Sequence, residues 1–110
     1  MVYIANAFAL SMIDIEEKET ILRVKELSKE EVKAILKEGF VSAIGHQSTA
    51  EILSQLLDIP IPFNRVQIKI TPNDKLIVFQ LLTRLEEGKI LSKEEISNLP
   101  FKFFLIEKGG

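Results

Sequence analysis

Three times in 110 residues a serine stands three positions ahead of a glutamate at the head of an apolar-periodic stretch: Ser28–Glu31, Ser48–Glu51 and Ser92–Glu95. Each is a capping box. The serine hydroxyl accepts an amide of the first helical turn, and the glutamate reaches back to the serine amide. Helix starts at this spacing, with branched and aromatic runs between them, require strands and helices to alternate. The strand-like runs are Val2–Phe8, Thr20–Leu27, Phe40–Ile44, Arg65–Ile70, Lys75–Leu82 and Phe101–Ile106. Met12–Glu19 reads as a loop or a short edge piece. The first helix carries Val32, Ile35 and Leu36 on one face, and Gly39 stops it as a C-cap glycine. The second carries Leu53, Leu56 and Leu57, and Pro60 and Pro62 end it. Thr71-Pro72-Asn73-Asp74 is a turn. The unbroken run Leu76-Ile77-Val78-Phe79 marks a central strand. The expectation is one α/β domain over residues 1–110, with a mixed sheet of about five or six strands flanked by about three helices.

Composition narrows the function. Hydrophobic residues make up 46% of the chain and charged residues 27%, enough apolar side chain to offset chain entropy and exclude disorder as the main state. No apolar run approaches the roughly 18 residues that cross a bilayer. Met1–Ile4 lacks the basic n-region of a secretory signal. Cysteine is absent, which removes disulfides, thiolate catalysis and cysteine-ligated zinc. A single histidine, His46, removes a His-rich metal site within one chain, so no metal or other cofactor is expected. The net charge is −2. Proteins that coat long nucleic acid carry a basic excess, so a polyanionic partner of this chain is expected to be small and held locally. Neither a membrane nor a long nucleic acid is an expected partner. The absence of cysteine and the Lys/Glu-rich composition point to an intracellular, cytoplasmic setting.

The most informative stretch is Ile44-Gly45-His46-Gln47-Ser48-Thr49. A strand ends, a glycine permits close backbone approach, and a helix begins. Such a junction presents unpaired amides and the positive end of a helix dipole at the C-terminal edge of a sheet, where phosphate binds without net positive charge. His46 lies in that turn. The residues alone leave two readings: a general acid or base acting on a phosphate ester, or a surface histidine hydrogen-bonded to backbone. Arg84 and Glu87 are spaced to pair after the apolar strand, and an arginine there suits either a phosphate or a solvated turn. Asn6 places an amide within an apolar strand, where it needs a partner or a ligand.

Four stretches together carry a resemblance: Ile4-Ala5-Asn6-Ala7-Phe8, Ala43-Ile44-Gly45-His46-Gln47-Ser48-Thr49, Asn64-Arg65-Val66, and Gln80-Leu81-Leu82-Thr83-Arg84-Leu85-Glu86-Glu87-Gly88-Lys89. From about Val2 to Phe104 the chain resembles the viral anti-CRISPR ring nucleases, small proteins of archaeal viruses with relatives in phages and bacteria. The resemblance implies a homodimer that binds cyclic tetra-adenylate, the second messenger of type III CRISPR defence. It implies cleavage without metal to linear adenylates ending in a 2′,3′-cyclic phosphate, in the host-cell cytoplasm if the chain is viral. It matches His46 to the catalytic general acid, Arg84 to a phosphate-contacting arginine and Glu87 to the glutamate that holds it. Asn6, Ser48 and Gln80 match ligand-lining positions, and Gly45 of the strand–helix junction is expected to bind substrate beside them. The family often has serine where this chain has Ala9 and asparagine where it has Ser11, so Ser11 is the residue expected to supply the N-terminal polar contact.

Two further readings stand beside this one. One is a non-catalytic sponge that holds a cyclic oligonucleotide or a mononucleotide in the same pocket. The other is a dimeric interaction module in which His46 is structural. The topology also stays open. A right-handed crossover from Phe40–Ile44 to Arg65–Ile70 would make those strands parallel. The Thr71–Asp74 turn would then carry Arg84 to the edge opposite His46. The alternatives are that Pro60–Asn64 reverses the chain, or that the partner subunit supplies Arg84.

Overall fold

The computed structural model describes residues 1–83 and 93–109. Its strands are β1 (Val2–Ala5), β2 (Leu22–Leu27), β3 (Val41–Ala43), β4 (Lys75–Leu81) and β5 (Phe101–Lys108). Its helices are α1 (Lys29–Leu36), α2 (Gln47–Leu57) and α3 (Lys93–Ser97), with a 3-10 turn at Leu10–Met12. The strands form one sheet in the order β2-β5-β4-β1-β3. β1 runs parallel to both β3 and β4, and β5 runs antiparallel to β4 and β2. The sheet is therefore mixed and has five strands among the described residues, within the expected range.

The three helices cover one face. Val32 and Leu36 of α1, Leu53 and Leu57 of α2, and Ile96 of α3 pack with Ile4, Ile77, Phe79 and Phe103. The rings of Phe79, Phe101 and Phe103 meet with centroids 5.3 to 5.6 Å apart. Burial of side chains this large stabilises the fold by about 1.5–3 kcal/mol each. The other face has no described helix. Ala5, Leu76, Val78 and Ile106 are covered there by Ile13, Ile68 and Ile70.

Sequence and structure agree on α1 in atomic detail. Ser28 accepts from the Glu31 amide at 3.1 Å and donates its own amide to the Glu31 carboxylate at 2.9 Å, so both halves of the capping box form. The charge-favouring bond from the Ser28 amide, joined by that of its hydroxyl, holds the Glu31 carboxyl below its usual pKa. Gly39, at φ 105°, turns the chain out of the helix in a conformation few other residues adopt. The Ser48 box does not form. α2 begins two residues earlier than that box requires, at Gln47, with His46 as N-cap and no side chain closing it. Glu51 instead accepts from the Gln47 side chain at 3.3 Å. The Ser92 box lies outside the described residues.

Residues 65–70 are not a strand. The alternation is real, since Ile68 and Ile70 are buried, but it reports packing onto the uncovered sheet face. Ile70 donates its amide to the Met12 carbonyl at 2.8 Å, a loop contact outside the sheet. Val66, earlier in the same stretch, is exposed. This removes the topological difficulty. Without a strand over 65–70 in the sheet, the Thr71–Asp74 turn leads into a β4 that is parallel to β1 and β3. All three strands end at the same edge.

Candidate functional site

At that edge the chain leaves β1 at Asn6 and β3 at Ile44, and β4 ends just past Gln80. The register fixes this alignment, since Ala5 pairs with both Ala43 and Val78. The C-terminal edge of parallel strands is where open α/β sheets hold ligands, because loops and helix N-termini converge there.

Asn6 is half-buried and lies one residue beyond β1, not within it. Its side-chain oxygen accepts the Gly45 amide at 3.0 Å. The expected Gly45 cradle amide is thus already engaged, and Asn6 fixes the turn that precedes His46. Gly45 needs no unusual backbone either, since Gly39 is the only described glycine at positive φ. A Cβ on Gly45 would lie 3.6 Å from Cγ of Arg65 and 4.0 Å from Oδ1 of Asn6, both ordinary contacts.

His46 caps α2 with its backbone only: its carbonyl accepts the Ala50 amide at 3.1 Å. Its side chain is exposed and makes no capping bond. No side chain therefore caps the first amides of α2, which begins beside an exposed imidazole and an exposed Ser48. Unpaired amides and a positive dipole end form an anion-attracting surface.

Arg65 reaches the same edge by a route built on β3. Ile44 and Phe63 form a parallel bridge, and the Asn64 amide donates to the Ile44 carbonyl at 2.9 Å. Arg65 is exposed and its Cγ lies beside Gly45, so its guanidinium, a planar fork of donors, springs from the edge at which His46 stands.

The structure thus brings together Asn6, Gly45, His46, Ser48 and Arg65. Gln80 stands at the same edge on β4, exposed, with its side-chain amide donating to the Leu81 carbonyl at 3.0 Å. Ser11 is not joined to them. It is exposed on the 3-10 turn, and among the described residues no hydrogen bond holds its side chain. Arg84 and Glu87 lie outside the described residues. Among those described, no group of three or more His, Asp or Glu side chains gathers to hold a metal ion. No described helix is long and apolar enough to cross a membrane.

Ser42 and Asn64 escaped notice as positioning groups. Ser42 is nearly fully buried and donates its hydroxyl to the Pro62 carbonyl at 2.6 Å. A serine in the middle of Phe40–Ile44 is a buried polar group that needs a partner, which is the signal that could have found it.

Comparison with known proteins agrees with this fold. A protein of Sulfolobus islandicus filamentous virus, named uncharacterized protein 26, is 41% identical over 109 residues, covering 97% of this chain and 91% of its own. Uncharacterized protein ORF117 of Acidianus two-tailed virus is 34% identical, covering 98% and 93%. The solved structure of B116 of Sulfolobus turreted icosahedral virus superposes with a TM-score of 0.83 at 29% identity, covering 96% of this chain and 97% of that one. A family model described as STIV B116-like matches residues 2–103. With near-complete coverage in sequence and fold alike, this chain belongs to the STIV B116-like family.

Proposed function

We propose that the chain is a metal-independent ring nuclease that binds and cleaves cyclic tetra-adenylate, and that it works as a homodimer against type III CRISPR signalling. The observation that carries this reading is the meeting of His46, the uncapped start of α2 and Arg65 at one edge of three parallel strands. The resemblance of the four stretches to viral ring nucleases supplies the substrate class. RNA brings its own nucleophile. The 2′-oxygen attacks the adjacent phosphorus as its proton passes to solvent, the P–O5′ bond breaks, and a 2′,3′-cyclic phosphate forms. The protein has to align that attack, spread the phosphate charge and protonate the leaving O5′. His46 is the group for the last task, because an imidazole can both accept and donate a proton. The α2 amides, Ser48 and Arg65 suit the phosphate, joined by Arg84 held by Glu87 as the resemblance implies. Asn6 orders the turn and Gln80 borders the edge. A two-fold dimer would present two copies of His46 to opposite phosphates of a two-fold ring.

The test is incubation with labelled cyclic tetra-adenylate in EDTA. Linear products ending in cyclic phosphate are the expected result. Tight binding without products would replace this reading with a sponge, and neither binding nor products would leave an interaction module.

A further inference from the structure

The free edge of β3 is closed by a piece of chain that is not a strand, and two side chains hold it there. Ser42 donates its hydroxyl to the Pro62 carbonyl at 2.6 Å and accepts the Ile44 amide at 3.3 Å. Asn64 donates its side-chain amide to the Ser42 carbonyl at 2.6 Å and its backbone amide to the Ile44 carbonyl at 2.9 Å. Between these bonds sits the Ile44–Phe63 bridge. The next residue is Arg65, whose Cγ lies beside Gly45. Arg65 has a long flexible side chain and no described ion-pair partner, so its placement depends on the backbone from which it springs.

We infer that Asn64, with Ser42, is a positioning residue that sets Arg65 against the Gly45–His46 turn for phosphate recognition. This rests on the proposed reading of the site. Neither residue faces the ligand edge itself: Ser42 is buried, and the Asn64 amide is spent on β3. The α2 amides are fixed by their helix, whereas the chain just ahead of Arg65 is held to β3 by this strut. Displacing a binding group by about an ångström can cost on the order of a hundredfold. Loss of the Asn64 side-chain bond, with the backbone bond still present, should loosen Arg65 by less than that.

The experiment is a double-substitution cycle read as affinity for cyclic tetra-adenylate, in a His46→Ala background to prevent turnover. Asn64→Ala should weaken binding by about tenfold while the melting temperature shows the protein folded. In an Arg65→Ala background the same substitution should change nothing further. Equal weakening in both backgrounds, or none in the first, overturns the inference. If Asn64→Ala fails to fold, Asn64→Ser, too short to reach the Ser42 carbonyl, decides by the same cycle. If the parent does not bind the ring at all, the reading of the site falls. The strut is then judged without ligand on the side-chain Nε resonance of Arg65, which Asn64→Ala should shift and which must not move if Arg65 is held independently.

Discussion

At His46 the imidazole stands in solvent at the mouth of α2 and makes no capping bond. That is the arrangement an acid needs before its substrate arrives, and it makes removal of the side chain simple to interpret. His46→Ala opens no apolar cavity, so the fold should persist. Binding of cyclic tetra-adenylate should be nearly unchanged. Single-turnover cleavage should slow by at least about a hundredfold, within the usual range for loss of a general acid. Cleavage at the parent rate would move the catalytic burden to phosphate positioning. Gly45 next to it supports a different expectation. Its backbone is ordinary and the space beyond it admits a methyl group against Arg65 and Asn6. Gly45→Ala should therefore melt within the few degrees that about 1 kcal/mol represents in a domain of this size. A larger drop by calorimetry would show that the turn itself requires glycine.

Among the elements, β4 is launched by a turn whose stability depends on pH. Asp74 is buried, which by itself would raise its pKa. The Thr71 amide at 2.8 Å, the Thr71 hydroxyl at 3.1 Å and the Met1 ammonium outweigh this and hold its carboxyl below the usual range. A carboxyl depressed by folding stabilises the protein above its unfolded pKa, about 3.9, and that stabilisation is lost as pH falls through the lower folded value. Melting temperature should therefore decline below about pH 4. Asp74→Asn should flatten this part of the profile while costing about 1–3 kcal/mol at neutral pH. Acid melting curves of both proteins check it, and parallel slopes would absolve Asp74. The sequence was legible where an element's cause is local. The Ser28 box, Gly39 and the apolar run of β4 each act within a few residues, and each appears as read. It was misleading where one local pattern serves two causes. Alternation over 65–70 shows that one side is buried, and says nothing about which backbone it bonds. Ser48 and Glu51 have capping-box spacing, but β3 ends close enough to start the helix at Gln47. The site was legible as a junction, through Gly45 and His46. Arg65 is placed beside it by the Ser42–Pro62 and Ser42–Asn64 contacts, which span 20 and 22 residues of sequence.

For the molecule as a whole, positive and negative charges nearly balance. With a net charge of −2, the proposed function requires that affinity for a polyanion come from a few groups such as Arg65, Arg84 and the α2 terminus. The slope of log affinity against log salt should be small, set by those contacts alone. A steep slope, like that of a polybasic surface, would contradict the local pocket. Light scattering at micromolar concentration should give the mass of a dimer, since one chain supplies one histidine to a ring with several phosphates. A fully active monomer would refute this. The strand order also has a consequence in time. β1 is made first, yet its partner β4 begins at Lys75, and β2 has no partner in the sheet until β5 exists. Pairings so distant along the chain close slowly, on the scale of milliseconds to seconds rather than microseconds. Asn6, Gly45 and Gln80 come together only when that closure is complete. The chain contains one tyrosine and no tryptophan, and Tyr3 sits on β1 between Val41 and Leu76. Its emission is thus a native clock for refolding: the signal should change when the parallel strands dock, and the ligand edge should not exist a moment before it does.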